Sequence, residues 1–401
     1  MLRRSWMVMV AGASALALGC SKDPTPGAAA ASGTAQGEKP AVETVWRVGA
    51  YLSLSGPEAQ FGIDTKDGFE LAAEEINQAG GVRGKPIKLL VEDDKGKPEE
   101  ATNKVLQLID RDKVVAVLGE IASSRSKVGG IVANKKHVPM ITATSTHPDV
   151  TKVGPFVFRT CVTDDVAGKM GAELILRTLG KKKIGLLFAS DDLYSSGIAE
   201  TFRQEIKRLG GSILIEKSFI KTETNFTTYL TELKSAGPEV IYAPIYYTSM
   251  IPIARQAKAA DVPGTMFVGT DGWDSTDLLA GAGDEMEGAY FTAHYSSEVP
   301  WPSSKAFVTK FSDRYHRPPT GVAAQSYDAM KVLGDAIKRA KADTPEAIRD
   351  AIQDTKAFPG VTGSITIDAD RNSNKPMVVI QIKGKKFTYF ATVNDQSNTP
   401  K

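Results

Sequence analysis

Cysteine, histidine and surplus charge are all scarce in this chain, and each shortage excludes something. Two cysteines, Cys20 and Cys161, occur among 401 residues, so no disulfide framework is expected. Cys161 lies in the apolar run FVFRTCV with no CxxC pattern and no histidine beside it. It reads as a buried, inert thiol, not a nucleophile. The four histidines, His137, His147, His294 and His316, are scattered, and none pairs at metal-ligand spacing. His147, before Pro148, reads as a surface turn. Net charge is +2, and Arg3 and Arg4 supply it; from Cys20 onward 47 basic residues face 47 acidic ones. No basic field is left to hold a nucleic acid or an anionic membrane surface. Catalytic signatures are missing as well. There is no G-x-S-x-G. Gly84-Lys85-Pro86 lacks the spacing and hydroxyl of a phosphate loop, and GAYLSLSG stands where a dinucleotide fingerprint would follow the first strand. Asp93-Asp94 beside Lys95 reads as a solvated turn, and Lys181 to Lys183 as a water-facing run. No cofactor and no metal are expected.

What is present begins with a targeting segment. Arg3 and Arg4 precede the apolar stretch Trp6–Leu18, which is too short to span a bilayer. Leu16-Ala17-Leu18-Gly19-Cys20 resembles a bacterial lipoprotein signal, with Cys20 as the lipidated first residue of the mature chain and Ala17 where such signals more often carry Leu. Residues 1–19 are then the signal. Residues 20–44, rich in Pro, Gly, Ala, Ser and Thr, form a flexible tether reaching about 25 Å. The membrane is engaged through the lipid alone, placing the protein in the periplasm or at the cell surface.

From Trp46 the chain alternates short apolar runs with stretches of helical spacing, the mark of doubly wound parallel sheets. WRVGAYL is a strand, Phe69 to Ala79 a helix stopped by Gly80-Gly81, Pro86 to Glu92 a strand and Glu99 to Asp112 a helix. The pattern restarts at Lys183 and gives a second lobe of the same design. The last hundred residues supply helices at Ser304–Tyr315, Ala323–Ala340 and Thr344–Asp354, and strands at Gly363–Ile367 and Met377–Ile382 that complete the two sheets. The chain therefore recrosses between lobes.

Two strands, Val114–Leu118 and Val138–Thr142, flank a helix carrying Val128, Ile131 and Val132. Each ends in hydroxyls: Ser123, Ser124 and Ser126 after the first, Thr144, Ser145 and Thr146 after the second. Strand ends of this kind are where open α/β sheets bind ligands, and Ser123 or Ser124 would cap a helix that attracts an anion. Ordinary caps and turns are the alternative. Aromatic residues stand at other strand ends: Phe61, Tyr194, Tyr246, Tyr247 and Trp273, with one carboxylate, Asp271, among those of the second lobe. Hydroxyls for a carboxylate, Asp271 for an ammonium and ring faces for an apolar side chain describe a site for an amino acid.

The order of these segments resembles the periplasmic leucine/isoleucine/valine-binding family, the solute-binding proteins of branched-chain amino acid ABC transporters. The likeness runs from about Trp46 to Phe390. It is carried by LSLSGPEAQFG, GFELAAEEINQAGGVRGKPIKLLVEDD, VVAVLGEIASSRS, VPMITATSTHPDVT, VFRTCVTDD, NFTTYLTELKSAGPEVIY, ARQAKAADV, AAQSYDAMKVLGDAI and FPGVTGSITID. The resemblance implies two α/β lobes, residues 45–163 with 293–359 and residues 164–292 with 360–395, joined by a three-segment hinge and closing on an amino acid. It implies Ser123 and Thr146 for the ligand carboxylate, the Thr144 carbonyl and Asp271 for the ammonium, and Phe61, Tyr194 and Tyr246 as walls. It also implies an ABC transporter permease as partner. The family often has Glu at Asp271, Tyr-Gly at Tyr194-Ser195, and in some members a disulfide in the first lobe. The first two departures leave open a ligand-sensing protein for amides, urea or aromatic acids.

Overall fold

The computed structural model describes residues 44–393. The signal, Cys20 and nearly all of the tether lie outside the described residues. β1 (Trp46–Leu52) is buried at every position but Arg47, as befits an inner strand covered on both faces. α1 (Ala59–Gln78) follows, then β2 (Ile87–Asp93), α2 (Pro98–Asp110), β3 (Ala116–Leu118), α3 (Ser123–Lys135), β4 (Met140–Thr142), α4 (Asp149–Lys152) and β5 (Val157–Arg159). Their sheet has the order β2-β1-β3-β4-β5, and every pairing in it is parallel.

The second sheet repeats the plan with α5 (Asp164–Glu173), β6 (Lys183–Ala189), α6 (Leu193–Arg208), β7 (Ser212–Phe219), α7 (Thr227–Ser235), β8 (Val240–Ala243), α8 (Tyr247–Ala257), β9 (Phe267–Gly269), α9 (Thr276–Ala282) and β10 (Tyr290–Ala293). Its parallel part runs β7-β6-β8-β9-β10, the same winding as the first. In each sheet the order reverses beside the first strand, between β1 and β3 and between β6 and β8. That reversal opens a crevice at the carboxyl ends of the strands.

The chain then returns to the first sheet. After α10 (Pro302–Tyr315), α11 (Gly321–Arg339) packs along α1. The helices approach closely because Gly68 has no side chain; a Cβ there would strike the Ala323 carbonyl oxygen. α12 (Pro345–Gln353) starts as its sequence requires, the Thr344 hydroxyl accepting from the Ala347 amide with Pro345 in the first turn.

Several expectations need correction. β11 (Phe358–Gly360) and β12 (Gly363–Ile365) complete neither large sheet; they pair only with each other. β13 (Met377–Lys383) does join the second sheet, antiparallel to β10, and β14 (Lys386–Val393) pairs antiparallel beyond it. The second sheet is therefore mixed. Gly384 and Lys385, both at positive φ (58° and 59°), make the two-residue turn whose twist suits such a hairpin. α1 begins ten residues before the expected Phe69. α3 packs on small residues: Gly129 and Gly130 are buried, while Ile131 is half exposed.

Candidate functional site

A helix that follows a parallel strand starts at the strand's carboxyl end. Phe61, Tyr194, Tyr246 and Tyr247 are therefore in first turns or at a cap, not on strands: Phe61 in α1, Tyr194 in α6, Tyr246 capping α8 and Tyr247 opening it. Asp271 stands in the 3-10 turn after β9. These ends converge on a cavity lined by Phe61, Thr144, Tyr194, Tyr246 and Asp271. Ile121, Gly272, Asp274, His294, Val322 and Gln325 complete the wall. The space inside is about 20 Å³, room for about one water. The cleft is shut.

The rings form one wall. Tyr194 and Tyr246 stack at 4.7 Å, and Phe61 meets the edges of Tyr246 at 6.0 Å and Tyr247 at 4.8 Å. The Tyr194 hydroxyl donates to Asp271 Oδ1 (3.1 Å) and accepts from the Gly272 amide (2.9 Å). Burial and Asp271 push that phenol well above its ordinary pKa, so it stays a neutral donor. On the other side, His294 Nε2 lies 3.5 Å from Asp271 Oδ2. Asp274, pushed up to about 8 by burial, accepts from the Gly321 amide at 2.8 Å.

The hydroxyl clusters behave differently from the sequence expectation. Ser123 is the first residue of α3 and does not cap it; its Oγ accepts from the His147 amide (3.2 Å), tying the ends of β3 and β4 together. Ser145 donates to the Glu120 and Ile121 carbonyls (3.0 and 2.8 Å) and meets Ser126 at 2.7 Å. Thr146 is fully buried beside Asp164, whose amide donates to its carbonyl. Ser124 is half buried on α3. None of these four lines the cavity, and of the second cluster only Thr144 does. Trp273 is also displaced from the expected position. Its ring covers Gly269, where any side chain would collide with it, and lies 6.2 Å from Phe291 in the core.

Other expectations change with burial. Asp93-Asp94 is no solvated turn: Asp94 is buried, and Asp93 accepts from the amides of Leu54, Ser55 and Lys95. His147 is half buried against Gly197. Cys161 is buried, and burial pushes its thiol up to about 12, which keeps it unreactive.

No sequence pattern announced a chain of charges along the cleft. Arg125 is buried between Glu58 (2.6 Å) and Glu120 (2.9 Å). Glu120 also accepts from Ser53 Oγ at 2.8 Å. Burial and Glu120 push the neighbouring Asp94 up to about 7. Lys221, after β7, crosses to Glu58 (3.3 Å) while holding Asp192 (2.9 Å), and its ammonium sits 5.3 Å from the Tyr246 ring centre. Burial opposes the charge on Glu58, but Arg125 and Lys221 outweigh it and hold the carboxyl below its ordinary range. His294 and Gln325 were missed as well. Each follows an apolar segment, and neither stands in a motif that marks a ligand.

Residues 45–386 match the family model described as periplasmic binding protein. The chain is 28% identical over 331 residues to the Leu/Ile/Val-binding protein homolog 3 of Brucella melitensis, covering 82% of this chain and 89% of that one. Its fold is similar to the crystal structure of the leucine-binding protein LivK of Thermotoga maritima: TM-score 0.83, 31% identity, 88% of this chain and 100% of the other. It is similar to the same degree to the branched-chain amino acid transporter substrate-binding protein LivJ of Streptococcus pneumoniae in complex with isoleucine: TM-score 0.83, 30% identity, again 88% and 100%.

Proposed function

The chain belongs to the periplasmic binding protein family, and from that premise we propose that it is an extracytoplasmic solute-binding protein of an ABC transporter for a branched-chain or related amino acid. The observation that carries this reading is Asp271. It is a carboxylate at the wall of a closed cleft that also carries three stacked or edge-on rings, one of them hydrogen-bonded to it. A carboxylate mostly withdrawn from water favours a cation, and the rings favour an apolar group; an amino acid with an aliphatic side chain supplies both. The cleft leaves only about 20 Å³, so entry requires the lobes to part. Residues 45–163 with 293–359 move against residues 164–292 with 360–395, and closure brings Asp271 and the tyrosines onto a ligand seated at Thr144. The protein acts by binding and release, not catalysis: Ser123 Oγ is engaged by a backbone amide and not by a base. Cys20 carries the lipid anchor, and the closed form is read by a membrane permease.

The test is a thermal-shift screen of the mature protein, without its lipid, against amino acids, short amides and aromatic acids. A true ligand at a hundredfold excess over its Kd stabilises the fold by about 2.7 kcal/mol. A shift with leucine, isoleucine or valine supports the reading. A shift confined to compounds without an ammonium group rejects the amino acid and leaves an amide- or acid-sensing protein.

A further inference from the structure

His294 follows β10 directly and is buried against the cavity. Among the described residues neither of its ring nitrogens makes a hydrogen bond; Nε2 only approaches Asp271, at 3.5 Å. Gln325, also buried at the cavity wall, leaves its side-chain oxygen without a partner. Buried polar atoms are rarely left unsatisfied, and here two such side chains line the same cavity as one carboxylate, His294 within 3.5 Å of it. A neutral imidazole offers one acceptor nitrogen, the glutamine oxygen another, and Asp271 a third. That set matches the three N–H donors of a primary ammonium group. It does not match a second carboxylate.

We propose that His294 determines what the cleft accepts and at what pH: neutral, it completes a three-acceptor seat for a ligand's primary ammonium, and protonated, it occupies that seat itself. The inference rests on the amino-acid reading above and goes beyond it. An imidazolium on Asp271 and an ammonium on Asp271 exclude each other. A ligand binding to the protonated form must therefore release one proton to solvent. A proton on His294 and a ligand ammonium compete for the same carboxylate, so affinity falls as pH drops, by up to tenfold per unit.

Other ionisable groups surround this end of β10: Asp271 and Asp274 from the turn after β9, Asp164 from α5, Cys161 and Arg159 from the segment before it, Tyr194 and Tyr242 from the second sheet, and Lys375 ahead of β13. Asp164 and Asp274 are both raised by burial. An incoming ammonium would favour their ionised forms and release protons too, with the same sign. A variant of His294 separates these contributions.

The experiment is calorimetric titration of leucine, isoleucine and valine, and of 4-methylpentanoate as the leucine analogue without an ammonium, at pH 8, 7, 6 and 5. Wild type and His294→Gln are compared. Wild type should lose about tenfold in affinity per unit on the acid side and bind 4-methylpentanoate at least a hundredfold more weakly than leucine. His294→Gln should lose most of the fall between pH 7 and 5. An equal fall in the variant overturns the proposal while leaving the amino-acid reading intact. Failure of wild type to bind any of the three amino acids at pH 8 overturns both. Should His294→Gln not fold, the ring resonance of His294 in wild type decides: saturating leucine should move its titration at least one unit down, and an unmoved midpoint overturns the proposal.

Discussion

Asp271 shares its carboxylate between the Tyr194 hydroxyl on one oxygen and the edge of His294 on the other, so the cleft is set up around a single negative charge. Asp271→Ala should weaken an amino-acid ligand by about 2–5 kcal/mol, because a desolvated ammonium loses its partner. Isothermal titration reads this directly, and a dissociation constant within twofold of wild type would contradict it. Asp274 makes a second residue-scale prediction. Its carboxyl is raised to about 8, whereas an unfolded aspartate titrates near 3.9. Between those values the folded state holds the extra proton, so stability falls as pH rises. Asp64, raised to about 6 by burial, and Asp94, raised to about 7, act in the same direction. Urea unfolding of the unliganded protein should give its higher stability near pH 5 and lose it toward pH 8. Asp274→Asn should flatten that slope by no more than about 1.4 kcal/mol per pH unit. Asp271 was legible in the sequence because it is a carboxylate at a strand end among aromatics. Asp274 and Asp94 were not, because their burial depends on the partners that cover them.

At the scale of elements, the strand-helix alternation announced almost every unit, and helix caps such as Thr344-Pro345 stood in the sequence as they stand in the fold. The errors have local causes. α1 starts at Ala59 because one face of its first turns, with Phe61, Gly62, Asp64 and Thr65, is buried, which brings Phe61 to the cavity through a helix. The hydroxyls of Ser123 and Ser145 serve the backbone between β3 and β4; a hydroxyl at a strand end satisfies neighbouring amides and carbonyls as readily as a ligand. The ion chain along the cleft is also an element-scale feature. Lys221 follows β7 and Glu58 precedes α1, in different lobes. Lys221→Met should remove a tie between the lobes and leave Glu58 paired with Arg125. Since a third of Lys221 stays in water, the cost is modest, about 1 kcal/mol. Ligand binding should weaken roughly fivefold, chiefly through faster dissociation in stopped-flow measurements; an unchanged off-rate would show that the tie does not hold the lobes together.

The whole molecule consists of two sheets wound alike and joined by crossings after β5, after β10 and before β13, the three-segment hinge. With the cleft closed to about 20 Å³, a ligand-free molecule that functions by capture must spend time open. X-ray scattering of the mature domain should give a radius of gyration somewhat above the roughly 20 Å of a compact chain of this length, and saturating ligand should lower it. An unchanged value would argue against hinge closure. The sequence by itself determined the α/β class, the repeat of one winding pattern, the family and the nearness of Asp271 to aromatic residues at the strand ends. Those follow from periodicity and residue type, which are local. Only the tertiary structure decided which hydroxyls face inward, that Trp273 belongs to the core, that β13 runs antiparallel to β10 and makes the second sheet mixed, and that His294, Gln325 and the Glu58–Lys221 tie border the cleft. Burial and partnership are set by segments hundreds of residues apart, and no local pattern records which of them will meet.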